Sequence, residues 1–246
     1  MTERHKLGDD PREPRVAVVT GGTGGLGSAL IERLLQRDVR VIATYIIPDE
    51  ATQFERRYEV DDETLALRRV DATDSEMMKE LFDEIVEVWG GFHMVASLVG
   101  GWAGGRDVEE TDAVRWERML DLNLRSAIHT VGPAVPHLRK QGWGRILVVG
   151  SRAVDDAPPG QAAFNVAKAG VTALARTLAS ELEGTGVTAN VLAPSVIDTP
   201  ATRSALPYAD YVDWPTPEEI ASVADFVLSE HSDVMNGAVI PVYGRA

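Results

Sequence analysis

Four short stretches of this 246-residue chain hold residue types that can do chemistry together. The run Thr20-Gly21-Gly22-Thr23-Gly24-Gly25-Leu26-Gly27 follows the β-branched residues Val16, Val18 and Val19. Glycines in such a turn let the backbone bend sharply and lie against a ligand with no Cβ between them. Leu26, Leu30, Leu34 and Leu35 then recur at helical spacing, which predicts a helix whose unpaired N–H groups point back at the glycines. Strand, glycine turn and helix together make a seat for a pyrophosphate. Further on, Ser151 puts a hydroxyl at the end of an apolar run, and Lys168 supplies a multi-donor cation downstream of it. Gly100 to Gly105 and Pro194 to Pro217 are long enough to be functional loops, and each follows a predicted strand.

The elements that must position these residues form a regular alternation. Short apolar runs predict strands near 15–20, 39–45, 65–70, 92–99, 144–150, 187–193 and 238–242, with amphipathic helical stretches between them. This β-α repetition predicts an α/β fold, a Rossmann-like doubly wound parallel sheet of about seven strands with helices on both faces. In such sheets ligands bind beyond the carboxyl ends of the strands, so the two loops are expected to border one pocket. Thr73 ahead of Glu76, and Thr216-Pro217-Glu218-Glu219, read as helix starts.

Composition narrows the function classes. With 44% apolar residues the chain can bury a large core, and one dinucleotide-binding domain over 15–246 is expected behind a flexible tail, 1–14. A net charge of −14 opposes nucleic acid and anionic membrane surfaces as partners. The absence of cysteine excludes disulfides and thiolate metal sites, and five scattered histidines suggest no metal site. The polar first residues lack the apolar stretch of a signal peptide, and no apolar run approaches the roughly 20 residues of a bilayer span. A cytoplasmic protein acting on a small molecule is the expectation.

In order along the chain, the T-G-x-x-x-G-x-G turn, Asp71-Ala72, Asn123, Ser151 and Lys168 make the sequence resemble the short-chain dehydrogenase/reductase family over nearly its whole length. The resemblance implies hydride transfer with NAD or NADP. It implies cofactor contacts at Gly21, Thr23, Gly25, Leu26, Gly27, Tyr45, Asp71, Ala72, Gly100, Lys168, Pro194, Ile197 and Thr199, and a catalytic group formed by Asn123, Ser151, residue 164 and Lys168. Asn123 would hold a helix kink and a water leading to Lys168, Asp71 would meet adenine, and a homodimer or homotetramer would form through the helices around Asn123 and Lys168. The family carries a tyrosine where this chain has Phe164, and a phenyl ring has no proton to give. General acid–base help is worth about 10²–10⁴-fold in rate.

A narrower similarity joins Gly100-Gly101-Trp102-Ala103-Gly104-Gly105 to quinonoid dihydropteridine reductases, with a related cadence from Asp198 to Arg203. It implies that Trp102 faces the substrate. Tyr208 and Tyr211, in the same loop region as that cadence, are candidate phenols arriving from another direction. Tyr45 stands where NAD-preferring relatives place an acid, and the turn lacks the cation common in NADP binders, so the expectation leans slightly to NADP. Three readings follow: a reductase of a small cyclic, activated C=N or C=O compound, quinonoid or pterin-like; a catalytically silent dinucleotide-binding protein with a regulatory or assembly role; or a parent reductase into which Phe164 was introduced.

Overall fold

The computed structural model describes residues 14–245, so the tail expected over 1–14 lies almost wholly outside the described residues. Seven strands form where the apolar runs stand: β1 (Val16–Thr20), β2 (Arg40–Tyr45), β3 (Leu65–Arg69), β4 (Met94–Ser97), β5 (Gly144–Val149), β6 (Val187–Pro194) and β7 (Val239–Val242). They make one sheet in the order β3-β2-β1-β4-β5-β6-β7, with every pairing parallel. Parallel strands need crossovers, and helices supply them on both faces.

α1 (Gly25–Leu35), α2 (Pro48–Glu55) and α9 (Pro217–Val227) cover one face, where Leu30, Ile31, Leu34, Phe54, Ile220 and Leu228 pack on Ala17, Val19, Val41 and Leu147. α3 (Ser75–Trp89), α5 (Ser126–Gln141) and α7 (Ala162–Glu181) cover the other face, with Phe82, Ile85, Val131, Leu138 and Val171 against Val18, Val95, Ile146 and Val191. Alternate residues of β1 therefore serve opposite cores, as a strand buried on both sides requires.

The chain reverses its direction of travel through the sheet between β1 and β4, which are neighbours although β2 and β3 intervene in sequence. That switch point lies between the glycine turn after β1 and the Gly100 loop after β4, which puts both at the crevice where such sheets take ligands.

Two local expectations are corrected. The start of α3 is capped by Asp74, whose carboxylate accepts from the N–H groups of Glu76 and Met77 at 2.9 and 3.1 Å, while Thr73 is bound instead by Asp71. An aspartate carboxylate one residue nearer the helix reaches these donors, so it takes the capping role. The stretch from Pro194 to Pro217 is not a continuous loop, since Pro200 and Thr199 start the short helix α8 (Pro200–Ala205). The capping box at Thr216 and Glu219 forms as expected. Among the described residues no helix is long and apolar enough to cross a membrane, and no group of His, Cys, Asp and Glu is placed to hold a metal.

Candidate active site

The glycine turn is built by close backbone approaches. Gly21 adopts φ +69°, and a Cβ on Gly27 would lie 2.3 Å from the Gly21 carbonyl oxygen. Gly21 and Gly22 donate to the hydroxyl and carbonyl of Thr44 at 3.2 and 2.8 Å, which ties the turn to the end of β2. α1 begins at Gly25 with no side-chain cap, leaving its first N–H groups free to meet an anion. A Cβ on Gly25 would sit 3.2 Å from the Thr199 methyl, so the turn and the segment after β6 face one another. Thr44 went unremarked in the sequence because it reads as one more β-branched strand residue.

Lys168 and Asn123 converge on Gly100. A Cβ there would lie 2.9 Å from Asn123 Oδ1 and 3.1 Å from Lys168 Nζ, so only glycine leaves both groups their place. Lys168 is buried, donates to the Val149 carbonyl at 2.8 Å, and is held down to about 8 from the usual 10.5 by burial. Asn123 is also buried: Nδ2 donates to the carbonyls of Gly101 and Met119 at 2.9 and 3.1 Å, and Oδ1 accepts from Gly101 N–H at 3.1 Å. It sits in a π-helical turn, Asp121–Arg125, between α4 (Ala113–Leu120) and α5. Such a wide turn is the irregularity expected at this asparagine, and the captured Met119 carbonyl is one of its local hydrogen bonds.

Phe164, on the first turn of α7, is 8% exposed and packs with Met119 and Ala163, bordered by Ala103, Trp116, Leu122 and Ala153. Lys168 Nζ lies 6.0 Å from the centre of its ring. Ser151 follows β5, is half-buried, and accepts at 3.1 Å from the N–H of Ala153, the first residue of the short helix α6 (Ala153–Asp156), leaving its own O–H free to donate. Asn123, Ser151, Phe164 and Lys168 are thus carried by elements that meet at the carboxyl ends of β4 and β5.

The remaining candidates are distributed around this group. Tyr45 ends β2, where its carbonyl accepts from Val70 N–H at 3.0 Å. Asp71 holds Thr73 with Oδ1 at 2.8 and 2.7 Å and keeps its other oxygen, while the Ala72 methyl is part of the core. Leu26 likewise turns its side chain into the core and presents its N–H in the first turn of α1. Thr23 donates to Glu50 at 3.2 Å. Pro194 accepts from Arg152 N–H at 2.9 Å, Ile197 borders the α1 core, and Thr199 caps α8 through Thr202 N–H at 3.1 Å.

Trp102 stands at the rim of this group. Its indole is 52% exposed and folds back over Gly104, where a Cβ would lie 2.6 Å from the ring, and Nε1 donates to Gln161 at the start of α7. A glycine-rich loop cannot hold a large ring upright by itself, so the ring takes the nearest backbone and amide. Tyr208 is fully exposed, and Tyr211 lies beneath the Arg203 guanidinium at 4.1 Å and beside Trp214. A recess of about 620 Å³ opens nearby along α4, lined by Thr73, Ala113, Val114, Glu117, Arg118, Asp121 and Leu122. Of its lining, Leu122 also borders Phe164.

A model of the family described as short chain dehydrogenase matches residues 15–208, most of the chain, including the glycine turn, Asn123, Ser151, Phe164 and Lys168. The chain belongs to the short chain dehydrogenase family. Cyclohexanol dehydrogenase of Rhodococcus sp. (strain TK6) is 34% identical over 263 aligned positions, which cover 95% of this chain and 96% of that protein. The 3-oxoacyl-(acyl-carrier-protein) reductase MabA of Mycobacterium tuberculosis is 31% identical over 242, covering 95% and 93%. A crystal structure of an oxidoreductase of the short chain dehydrogenase/reductase family from Burkholderia thailandensis superposes with a TM-score of 0.82 at 28% identity, covering 94% of this chain and 92% of that one. Membership makes an NAD(P)-binding Rossmann fold and oxidoreductase ancestry part of this chain's description.

Proposed function

We propose that this short chain dehydrogenase is an NAD(P)-dependent reductase of a small, cyclic, activated C=N or C=O compound, quinonoid or pterin-like, acting as one domain over 15–246 in a homodimer or homotetramer. The observation that carries the reading is the convergence of Lys168 and Asn123 on Gly100 beneath the Phe164 ring. The residues present fit a dinucleotide: the glycine cradle has no room for a Cβ at Gly27, and α1 begins uncapped beside Thr199. Such a cofactor supplies hydride when bound.

The chain's own residues bind and orient. The free N–H groups at Gly25, Leu26 and Gly27 would meet the pyrophosphate with Thr199 and the backbone N–H of Thr23, whose hydroxyl is held by Glu50, while Asp71 would meet adenine and Lys168 would donate to the nicotinamide ribose. Tyr45, Ala72, Gly100, Pro194 and Ile197 shape the path between. Ser151 donates its free O–H to the substrate's polar atom, and Trp102 offers an aromatic face. With a phenyl ring at 164, the proton comes by water held at Asn123 and Lys168 or from Tyr208 or Tyr211. A quinonoid ring is electron-poor and gains conjugation on reduction, so it depends less on a strong acid than an unactivated ketone does. The test is to mix folded protein with NADH or NADPH and a panel of quinonoid dihydropterin and quinones. Loss of nicotinamide absorbance above the blank is the expected result, and none with any acceptor removes the proposal.

One observation favours a second reading. Phe164 is sealed in its own apolar cluster, as in a scaffold that binds a dinucleotide without turning it over. Phe164→Tyr separates the two. If the natural chain is a specialised reductase, the variant gains ketone reduction by about 10²-fold or more while quinone reduction persists in both. If both forms bind cofactor and neither reacts, the silent reading stands.

A further inference from the structure

Resting on the reading that the glycine turn seats a pyridine dinucleotide, we infer that Glu50 binds the 2′-hydroxyl of its adenosine ribose and makes the chain prefer NADH to NADPH. The glycine turn and the end of β2 are a single unit: Thr44 accepts from Gly21 and Gly22, and a Cβ on Gly22 would lie 2.6 Å from the Ala43 methyl. A ribose resting on the turn is therefore near the end of β2, the place where acids that read a 2′-hydroxyl stand.

In sequence that place is taken by Tyr45, which suggests that no acid is present. Through Ile46 and Ile47, however, the chain enters α2, whose first turn carries Asp49 and Glu50. The helix brings Glu50 back against the turn, with Oε2 accepting from Thr23 Oγ1 at 3.2 Å. Thr23 fixes one carboxylate oxygen, and the other remains to accept from a ribose hydroxyl. A 2′-phosphate at the same place brings negative charge to a carboxylate that has no cation paired with it among the described residues.

The competing group is Arg69, exposed and opposite Tyr45 in the β2–β3 register. It stands on the next strand, about 4.8 Å farther from the turn, whereas Glu50 touches the turn itself. Arg68 is already engaged by Glu84 and Asp62. The acid therefore outweighs the cation, and the lean toward NADP drawn from Tyr45 is reversed.

Titration calorimetry of NADH and NADPH into the natural chain, Glu50→Gln and Arg69→Ala at low salt tests this directly, and circular dichroism checks that each exposed-site variant is folded. The natural chain is expected to bind NADH about tenfold or more tighter than NADPH, and Glu50→Gln to shrink that ratio by about tenfold. Arg69→Ala is expected to leave the ratio within about twofold. Preference for NADPH in the natural chain, or a ratio untouched by Glu50→Gln, overturns the inference and leaves the reductase reading in place. Failure of the folded chain to bind either dinucleotide overturns both.

Discussion

Lys168 combines a buried ammonium with one acceptor among the described residues, the Val149 carbonyl, so its charge is costly in the folded state. Burial lowers its pKa to about 8 from 10.5. Between those values the unfolded chain holds a proton that the folded chain has released, so stability rises with pH across that window and is lowest below it. The full change is about 3 kcal/mol. Urea unfolding of the natural chain and Lys168→Met, compared from pH 7.5 to 10.5, should show the natural chain gaining on the variant as pH rises. A constant gap would mean that the ammonium is solvated. Phe164 shows the limit of reading single residues: its identity announced a missing phenol, but only packing revealed that the ring seals an apolar cluster with Met119 and Ala163.

Among the elements, helix starts border the candidate cofactor seat. α9 begins with a reciprocal capping box at Thr216 and Glu219, and its first proline would lie 3.7 Å from a Cβ on Gly25. Thr216→Ala removes one half of that box and should cost about 1 kcal/mol, lowering the melting temperature by about 2–4 °C. Because α9 packs along α1, dinucleotide affinity should weaken a few-fold in the same variant, as calorimetry would show. A melting temperature that is unchanged would assign the α9 start to other contacts. All seven strands were legible: the inner ones are buried on both faces and read as apolar runs, and the edge strands β3 and β7, only partly buried, still carry short apolar stretches. The capping residue of α3 was not, since Thr73 and Asp74 both suit the role and backbone geometry chose Asp74. The same holds for α8, hidden in a polar segment where Thr199 and Pro200 start a helix too short to show periodicity.

For the whole molecule, the two ends of the sheet have separate tasks. At the amino-terminal end, opposite the candidate site, buried His93 accepts from Val16 N–H at 3.0 Å, while Arg15 and Arg145 stack on Trp143 at 3.8 and 4.3 Å. Burial, with a smaller push from Arg15, lowers the histidine to about 4 from 6.5. The folded chain then resists a proton that the unfolded chain accepts, so stability is retained above pH 6.5 and lost as pH falls toward 4, by up to about 3 kcal/mol. His93→Asn keeps an acceptor near Nδ1 without titrating, and its unfolding free energy should change less over that range than the natural chain's. An identical acid limb in the two proteins would place the loss elsewhere.

From its amino acids alone the chain could be assigned its strand positions, its glycine cradle and the identities of Asn123, Ser151, Phe164 and Lys168, because each is a local signal written in spacing or residue type. Distances between segments far apart in sequence were decided only in three dimensions. The side chain of Trp102 turned to Gln161, and Glu50 came back from α2 to Thr23. Both contacts join residues whose separation along the chain carries no period, and only the packing of helices on a parallel sheet brings them within reach.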